Sequence, residues 1–127
     1  MSAIKTHLDL RVYQLSFEAA MEIFEISKTF PNEEKYSLTD QVRRSSRSVS
    51  ANISEAWRKR KYPKSFIAKL SDSEAEGAET QVWLDYSLAC KYINEKTHNI
   101  LFEKYDNILG MLVNMMKHPE KWTVNYK

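Results

Sequence analysis

Hydrophobic residues recur every three or four positions through four segments of the chain, each bounded by breakers or polar turns,. The segments span approximately residues 9–29, 37–61, 63–93 and 95–118. Pro31 and Pro119 follow the first and fourth segments, and Pro63 opens the third,. Only 2 Gly and 3 Pro occur among 127 residues, which is scarce for a fold rich in tight turns,. The pattern predicts one all-α domain, an antiparallel up-down-up-down four-helix bundle.

The first and third segments each carry two apolar stripes. In the first segment the stripes are Val12, Leu15, Ala19, Ile23, Ile26 and Phe30, and beside them Tyr13, Phe17, Ala20 and Phe24. In the third they are Phe66, Leu70, Gly77, Leu84 and Leu88, and nearly opposite them Ala68, Ala75, Val82, Ala89 and Ile93. A helix in a monomeric bundle usually buries one face. We interpret the second stripe of the third segment as a surface that faces another subunit, and Gly77 as a point of close helix packing.

Residues typical of helix starts precede three of the segments. Asp9 is predicted to be the N-cap of the first helix,. Ser37 is predicted to cap the second helix through its hydroxyl, with Asp40 in the capping-box position,. Asn94 or Thr97 is predicted to start the fourth helix,.

The second segment contains "RRSSRSVSANISEAWRKRK", residues 43 to 61, in which Arg and Ser are abundant and apolar residues are few. On a helical wheel its core stripe is Leu38, Val42, Ser45, Val49, Ile53 and Ala56,. Arg43, Arg47 and Arg58 lie near the opposite pole, with Arg44 close by. The core face is thin, and small residues on it allow a neighbouring helix to approach closely. Ser45 and Asn52 need hydrogen-bond partners if they are buried.

Charge is unevenly distributed along the chain. Residues 36 to 61 carry seven Lys or Arg against two acidic residues, although the net charge of the whole chain is only +2. In the first of two hypotheses, the basic residues bind RNA or DNA: Arg43, Arg44, Arg47, Arg58, Lys59, Arg60 and Lys61,. In the second, the arginines form ion pairs with Asp72, Glu76 and Glu79, within or between the subunits of a structural or adapter assembly. We expect the basic turn, residues 58–61, to be exposed.

The stretch "LTDQVRRSSRSVSANISEAW", residues 38 to 57, resembles the signature of the four-helix bundle family of 23S rRNA intervening sequence proteins, also called S23 ribosomal protein-like. The matching positions are Leu38, Thr39, Gln41, Arg43, Arg44, Ser48, Asn52, Ile53 and Glu55. The resemblance covers nearly the whole chain. Ser50 stands where members often have Pro, and Ala56 where they often have Gly, so a straighter second helix is expected.

The resemblance implies a homopentameric ring and a connection to RNA. A related accessory protein of diversity-generating retroelements is a pentameric bundle that binds nucleic acid and a reverse transcriptase. The family's biochemical role is poorly defined. The resemblance marks four residues as signature positions of the family: Arg43, Arg44, Asn52 and Glu55. Their role in the family is either functional or structural.

The sequence predicts neither an enzyme nor a cofactor or metal site. No two of its three histidines lie three or four positions apart, and its two glycines are too far apart to build a phosphate loop,. Cys90, the single cysteine, is interpreted as a buried structural thiol,. No segment approaches the ~20 apolar residues that span a bilayer, and we expect a soluble cytoplasmic protein without membrane association.

Overall fold

A computed structural model describes residues 4–123 of the chain. Its four α-helices are α1 Arg11–Ser27, α2 Leu38–Arg58, α3 Pro63–Ala89 and α4 Glu95–Lys117. Short 3-10 turns lie at His7–Asp9, Asn32–Glu34 and Pro119–Lys121. No strand occurs within residues 4–123. The predicted all-α class with four helices is confirmed.

The start of α1 differs from the prediction. The Asp9 carboxylate accepts hydrogen bonds from the amides of Lys5 and Thr6, at 2.9 and 3.1 Å. These bonds close the 3-10 turn that precedes α1 and hold the pKa of Asp9 below its usual value. Leu10 is the residue at the N-cap position of α1, so the assignment of Asp9 as N-cap is wrong.

The start of α2 is capped by a carboxylate and not by a hydroxyl. Ser37 occupies the N-cap position, but its hydroxyl donates to the Glu34 carboxylate at 2.6 Å and makes no capping bond. The same carboxylate accepts from the Leu38 amide at 3.4 Å and from the Tyr92 hydroxyl at 2.8 Å. The Ser37 and Tyr92 hydrogen bonds are the main causes that lower the pKa of Glu34. The predicted capping box of Ser37 with Asp40 is therefore wrong.

α2 and α3 end three and four residues earlier than predicted. α2 ends at Arg58, so the three basic residues after it lie in a turn. α3 ends at Ala89, and Lys91 adopts a left-handed conformation with φ 66°,. The side chain of Asn94 then accepts a hydrogen bond from the Thr97 amide at 2.8 Å, which confirms Asn94 as the N-cap of α4.

Each helix packs against two neighbours: α2 lies against α1 and α3, and α4 lies against α3 and α1. Paired residues run in opposite directions along α2 and α3, since Arg44 meets Glu79 near one end and Glu55 meets Lys69 near the other. The core between the helices contains large side chains that are fully buried, among them Tyr105, Phe66, Ile23, Ile53, Leu70 and Leu84. Burial raises the pKa of Tyr105, whose hydroxyl has no hydrogen-bond partner among the described residues.

The predicted core stripe of α2 is confirmed, because all six of its residues are buried. The second stripes of α1 and α3 lie largely outside the core. Phe17 on α1 is 50% exposed and Val82 on α3 is 47% exposed. Ala68, Ala75 and Ala89 on α3 are exposed as well. Other members of the two stripes do have contacts: Tyr13 and Ile93 pack against the core, and Phe24 lies beside Arg43 and Arg47.

Gly77 lies where α3 meets α4. A Cβ atom added there would lie 2.8 Å from Leu109 Cδ2, closer than van der Waals contact allows. Because Gly77 has no side chain, Leu109 of α4 fits against the backbone of α3 and the two helices lie close together. The predicted close packing at Gly77 is confirmed.

We expect Gly110→Ala to stabilise the fold. Gly110 lies in the interior of α4, and a Cβ added to it meets nothing within 4 Å. Alanine in a helix interior is favoured over glycine by about 0.5–1 kcal/mol, because the unfolded chain loses less entropy on folding. Urea denaturation should show this increase in the free energy of unfolding. Gly77→Ala is the matched control, and its gain should be smaller because Leu109 must move; equal gains would contradict the packing described.

Candidate nucleic-acid interface

The buried face of α2 contains hydroxyl groups that are hydrogen bonded to both neighbouring helices. Thr80 on α3 donates to Ser45 at 2.8 Å, and Ser73 donates to the Val49 carbonyl at 2.8 Å. On the other side, Ser50 and Ser16 of α1 share a hydrogen bond of 3.0 Å. These bonds satisfy the requirement that buried hydroxyls have partners.

Since the buried face of α2 is turned inward, its basic residues share the outer face. At 100° per residue, the four arginines of the helix, Arg43, Arg44, Arg47 and Arg58, fall within an arc of about 100°. At 1.5 Å per residue they extend over about 22 Å along the axis. This outer face has an exposed small residue, Ala51, between its two groups of arginines.

Arg43 and Arg47 lie against α1. Arg43 Nε donates to the Ser27 hydroxyl at 2.8 Å, and its guanidinium lies 4.9 Å from the centre of the Phe24 ring. The guanidinium of Arg47 lies 5.7 Å from the same ring and is exposed. Phe24, which the sequence assigns to the second stripe of α1, is therefore a platform for two arginines.

Arg44 is turned toward α3 and pairs with two glutamates. Its guanidinium lies 3.2 Å from Glu79 and 3.9 Å from Glu76. Glu79 also accepts a hydrogen bond from the Trp83 indole at 3.2 Å. For Arg44, the structure thus has the ion pairing with α3 that the second hypothesis requires, here within one chain.

Glu76 is in an unfavourable environment for a charge. Burial raises its pKa, and the neighbouring carboxylate of Glu79 raises it further, whereas Arg44 lowers it. One of its carboxylate oxygens is buried and has no hydrogen-bond partner among the described residues.

The basic turn has a different environment from the arginines of the helix. Arg58, Lys59 and Lys61 are exposed, and Arg58 and Lys59 form no ion pair with a residue in the described part of the chain. Arg60 is half-buried: its Nε donates to the Trp57 carbonyl at 2.7 Å, and its guanidinium stacks 3.6 Å from the Trp57 ring centre. The turn is therefore an exposed cluster of positive charge with one arginine held against an aromatic ring.

The other two signature residues have structural contacts. The Asn52 side chain donates to the Ser48 carbonyl at 2.9 Å. Glu55 forms a 2.9 Å ion pair with Lys69 of α3, and this bond raises the pKa of Lys69. Asn52 and Glu55 thus stabilise α2 and its contact with α3, and Ser50, which stands at an expected Pro position, lies within one uninterrupted helix.

A cavity of about 570 Å³ opens on the outer face of α2, and sequence reasoning identified only part of its lining. It brings Arg43, Arg44 and Arg47 together with Lys35, Tyr36, Thr39 and Asp40. Lys35 and Tyr36 belong to the connection before α2, so their proximity depends on the 3-10 turn there. The one sequence signal available was the spacing of Thr39, Arg43 and Arg47 at every fourth position.

Cys90 is exposed, so its assignment as a buried thiol is wrong. The reason is the early end of α3, which leaves Cys90 at the C-cap and outside the helix. His98 lies 2.7 Å from Asp85, but within residues 4–123 no three His, Cys, Asp or Glu side chains are grouped as metal ligands. None of the helices in the described range has the length and apolar character needed to cross a bilayer.

Comparison with known proteins agrees with the signature on α2. The model of the family described as "23S rRNA-intervening sequence protein" matches residues 8–114. The chain belongs to this family. Among solved structures, it resembles a protein of unknown function from the S23 ribosomal protein family of Bacteroides thetaiotaomicron VPI-5482. The two are 30% identical with a TM-score of 0.76, over 84% of this chain and 95% of that one. No curated protein matches the chain.

For this member of the 23S rRNA-intervening sequence protein family, we expect Glu76→Gln to be more stable than the wild type at pH 7. A carboxyl group whose pKa is higher in the folded than in the unfolded chain lowers stability when it is ionised. The difference should shrink as the pH falls through the folded pKa and vanish well below the ordinary value of 4.5. Urea denaturation across this pH range measures it, with the low-pH points as internal control. A difference independent of pH would contradict the raised pKa.

Proposed function

We propose that the protein is a non-enzymatic nucleic-acid-binding protein, with RNA as the favoured ligand, and that it binds through the outer face of α2 and the basic turn. The observation that carries this proposal is the exposure of Arg47, Arg58 and Lys59, none of which forms an ion pair with a residue in the described range. Arg58 and Lys59 are neighbours in the sequence and repel each other, and a polyanion that binds along α2 relieves that repulsion and neutralises Arg47 as well.

Aromatic side chains beside these cations support a nucleic acid over a small anion. Arg60 presents a guanidinium stacked on Trp57, and Tyr36 is 85% exposed beside the arginines of the helix. Such planar groups stack on unpaired bases. RNA is favoured because the family that the chain belongs to is described by its link to 23S rRNA.

We also infer that the helices run up-down-up-down and that copies of the chain form a homo-oligomeric ring, with five subunits as the family resemblance implies. Two ion pairs between α2 and α3 support the first part. Residue numbers rise along α2, from Arg44 to Glu55, while those of their partners fall along α3, from Glu79 to Lys69. The exposed stripe of Ala68, Ala75, Val82 and Ala89 supports the second, since its small residues repeat every seven positions and allow close helix contact,. A ring repeats the basic surface and so strengthens its field and its avidity.

The pairing of Arg44 with Glu79 and Glu76 favours a second candidate function. In this alternative the protein is a structural or adapter assembly that docks a protein partner such as a reverse transcriptase, and its arginines serve ion pairs. The two candidates differ in whether the protein binds RNA with an affinity that depends on salt.

Affinity for single-stranded RNA should fall linearly with salt on a log–log scale, and the double variant Arg58→Ala/Lys59→Ala should flatten this dependence. Each phosphate contact contributes about 0.7 to the slope, so the loss of two contacts per bound site should reduce it by about 1.4. Fluorescence anisotropy at several salt concentrations measures the slope.

The matched control for this experiment is Lys96→Ala/Lys117→Ala, which removes two exposed charges from α4. It should leave the slope close to that of the wild type. If both double variants flattened the salt dependence equally, the effect would come from the net charge of the protein and not from the basic turn. Failure of the wild-type protein to bind RNA at low salt would reject the first candidate and favour the adapter.

Val82→Asp should convert the oligomer into monomers of 15.0 kDa. The side chain is 47% exposed on the outer stripe of α3, so a carboxylate there is tolerated in a monomer but carries a large desolvation cost in an interface,. Sedimentation velocity measures the mass. Ile100→Asp, equally exposed at 47% on α4, is the control and should retain the wild-type mass. A monomeric wild type, or an oligomer that survives Val82→Asp, would reject this interface.

A further inference from the structure

The cavity on the outer face of α2 has the composition of a site for a compact anion. Its lining includes four cationic side chains, Lys35, Arg43, Arg44 and Arg47, and a single carboxylate, Asp40. Its volume of about 570 Å³ lies within the range of ~300–1,000 Å³ typical of small-ligand pockets,. The amide at the N-terminal end of α2 is already hydrogen bonded to the Glu34 carboxylate. The attraction for an anion therefore comes from the side chains of the cavity and not from the helix end.

Thr39 gives an independent indication of a ligand. The residue is only 7% exposed and lines the cavity, yet its Oγ1 has no hydrogen-bond partner among the described residues. A buried hydroxyl without a partner is costly, and native proteins rarely retain one. The Oγ1 atom itself is buried, so a rotation about χ1 of Thr39 is needed to bring the hydroxyl to an anionic oxygen next to the arginines,.

Two of the arginines are held in place before any ligand arrives. Arg43 is fixed by its 2.8 Å bond to Ser27 and by the Phe24 ring, and both contacts leave the terminal nitrogens of its guanidinium available. Arg47 lies over the same ring. Because their guanidinium groups are already positioned, less side-chain entropy is lost on binding. Tyr36, at the edge of the cavity, exposes 85% of its surface.

A terminal phosphomonoester fits this arrangement better than a phosphodiester within a strand. The monoester carries a charge of about −1.5 to −2 and three strong acceptor oxygens, which suit several cations that converge with a hydroxyl. A base attached to it would reach the exposed ring of Tyr36. We propose that this cavity binds the phosphorylated end of a nucleic-acid strand, with the phosphate against Arg43, Arg47 and Thr39 and the terminal base against Tyr36.

This inference rests on the proposed nucleic-acid binding, and one experiment separates the two. The intact oligomer is titrated with a short single-stranded RNA in three forms: with a 5′-phosphate, with a 3′-phosphate, and with hydroxyl groups at both ends. At least one phosphorylated form should bind about tenfold tighter than the hydroxyl form, as expected for charge-assisted hydrogen bonds. Inorganic phosphate is titrated separately.

Three variants assign the preference to the cavity. Thr39→Val keeps the shape of the side chain and removes the hydroxyl, and Arg47→Gln removes one cation. Each of these variants should reduce the ratio of the affinity for the preferred phosphorylated RNA to the affinity for the hydroxyl RNA at least threefold. Arg58→Gln removes the same charge from the same helix outside the cavity, and it should weaken all three RNAs alike while the ratio persists. Thr39→Val loses no hydrogen bond, so thermal unfolding should show a midpoint no lower than that of the wild type.

Each other outcome overturns a defined part of the proposal. Equal affinity of the wild type for all three RNAs would overturn end recognition and leave the proposed function intact. A preference that survives Thr39→Val and Arg47→Gln would overturn the assignment to this cavity. If no RNA binds, the proposed function fails and this inference fails with it. Binding of inorganic phosphate without RNA would overturn a nucleic acid as its source.

Discussion

The small hydroxyl residues on the buried face of α2 are the constraint on which the rest of the bundle depends. Ser45 and Ser50 occupy positions where a larger apolar residue would hold the neighbouring helices further away. Each hydroxyl must find a partner once it is buried, and only one register of the helices brings Ser45 to Thr80 and Ser50 to Ser16,. Close approach and polar pairing therefore determine together where α1 and α3 lie along α2.

The same constraint decides how the arginines are used. Because α2 packs between α1 and α3, residues at the two sides of its outer face reach different neighbours. Arg43 contacts Ser27 and Phe24 on α1, whereas Arg44 contacts Glu79 on α3. Arg47, in the middle, remains exposed with only the Phe24 ring beside it. Three arginines within five positions thus have three different environments, which composition alone does not distinguish.

The number of helices, the core stripe of α2 and the role of Gly77 were predictable from the sequence, because each depends on periodicity along one helix. The ends of the helices were not. Asp9 and Ser37 are both typical N-cap residues, but the 3-10 turns in the connections gave their side chains other partners. Cys90 was misjudged because α3 stops before it. The cavity was missed in part because Lys35 and Tyr36 approach the arginines only through the folded connection.

Within residues 4–123, the ion pairing that the second hypothesis requires is present for Arg44 but not for Arg58 and Lys59. Arg44 is neutralised by Glu79 and Glu76 of α3. Glu55, the acidic residue of α2 that lies outside the cavity, is paired with Lys69 of α3. Glu55 is therefore not available to offset Arg58 and Lys59, three and four positions further on. Positive charge consequently accumulates on the outer face and at the turn of a chain whose net charge is only +2. Ion pairing of Glu55 within the bundle therefore removes an acidic group that would otherwise offset this positive charge,.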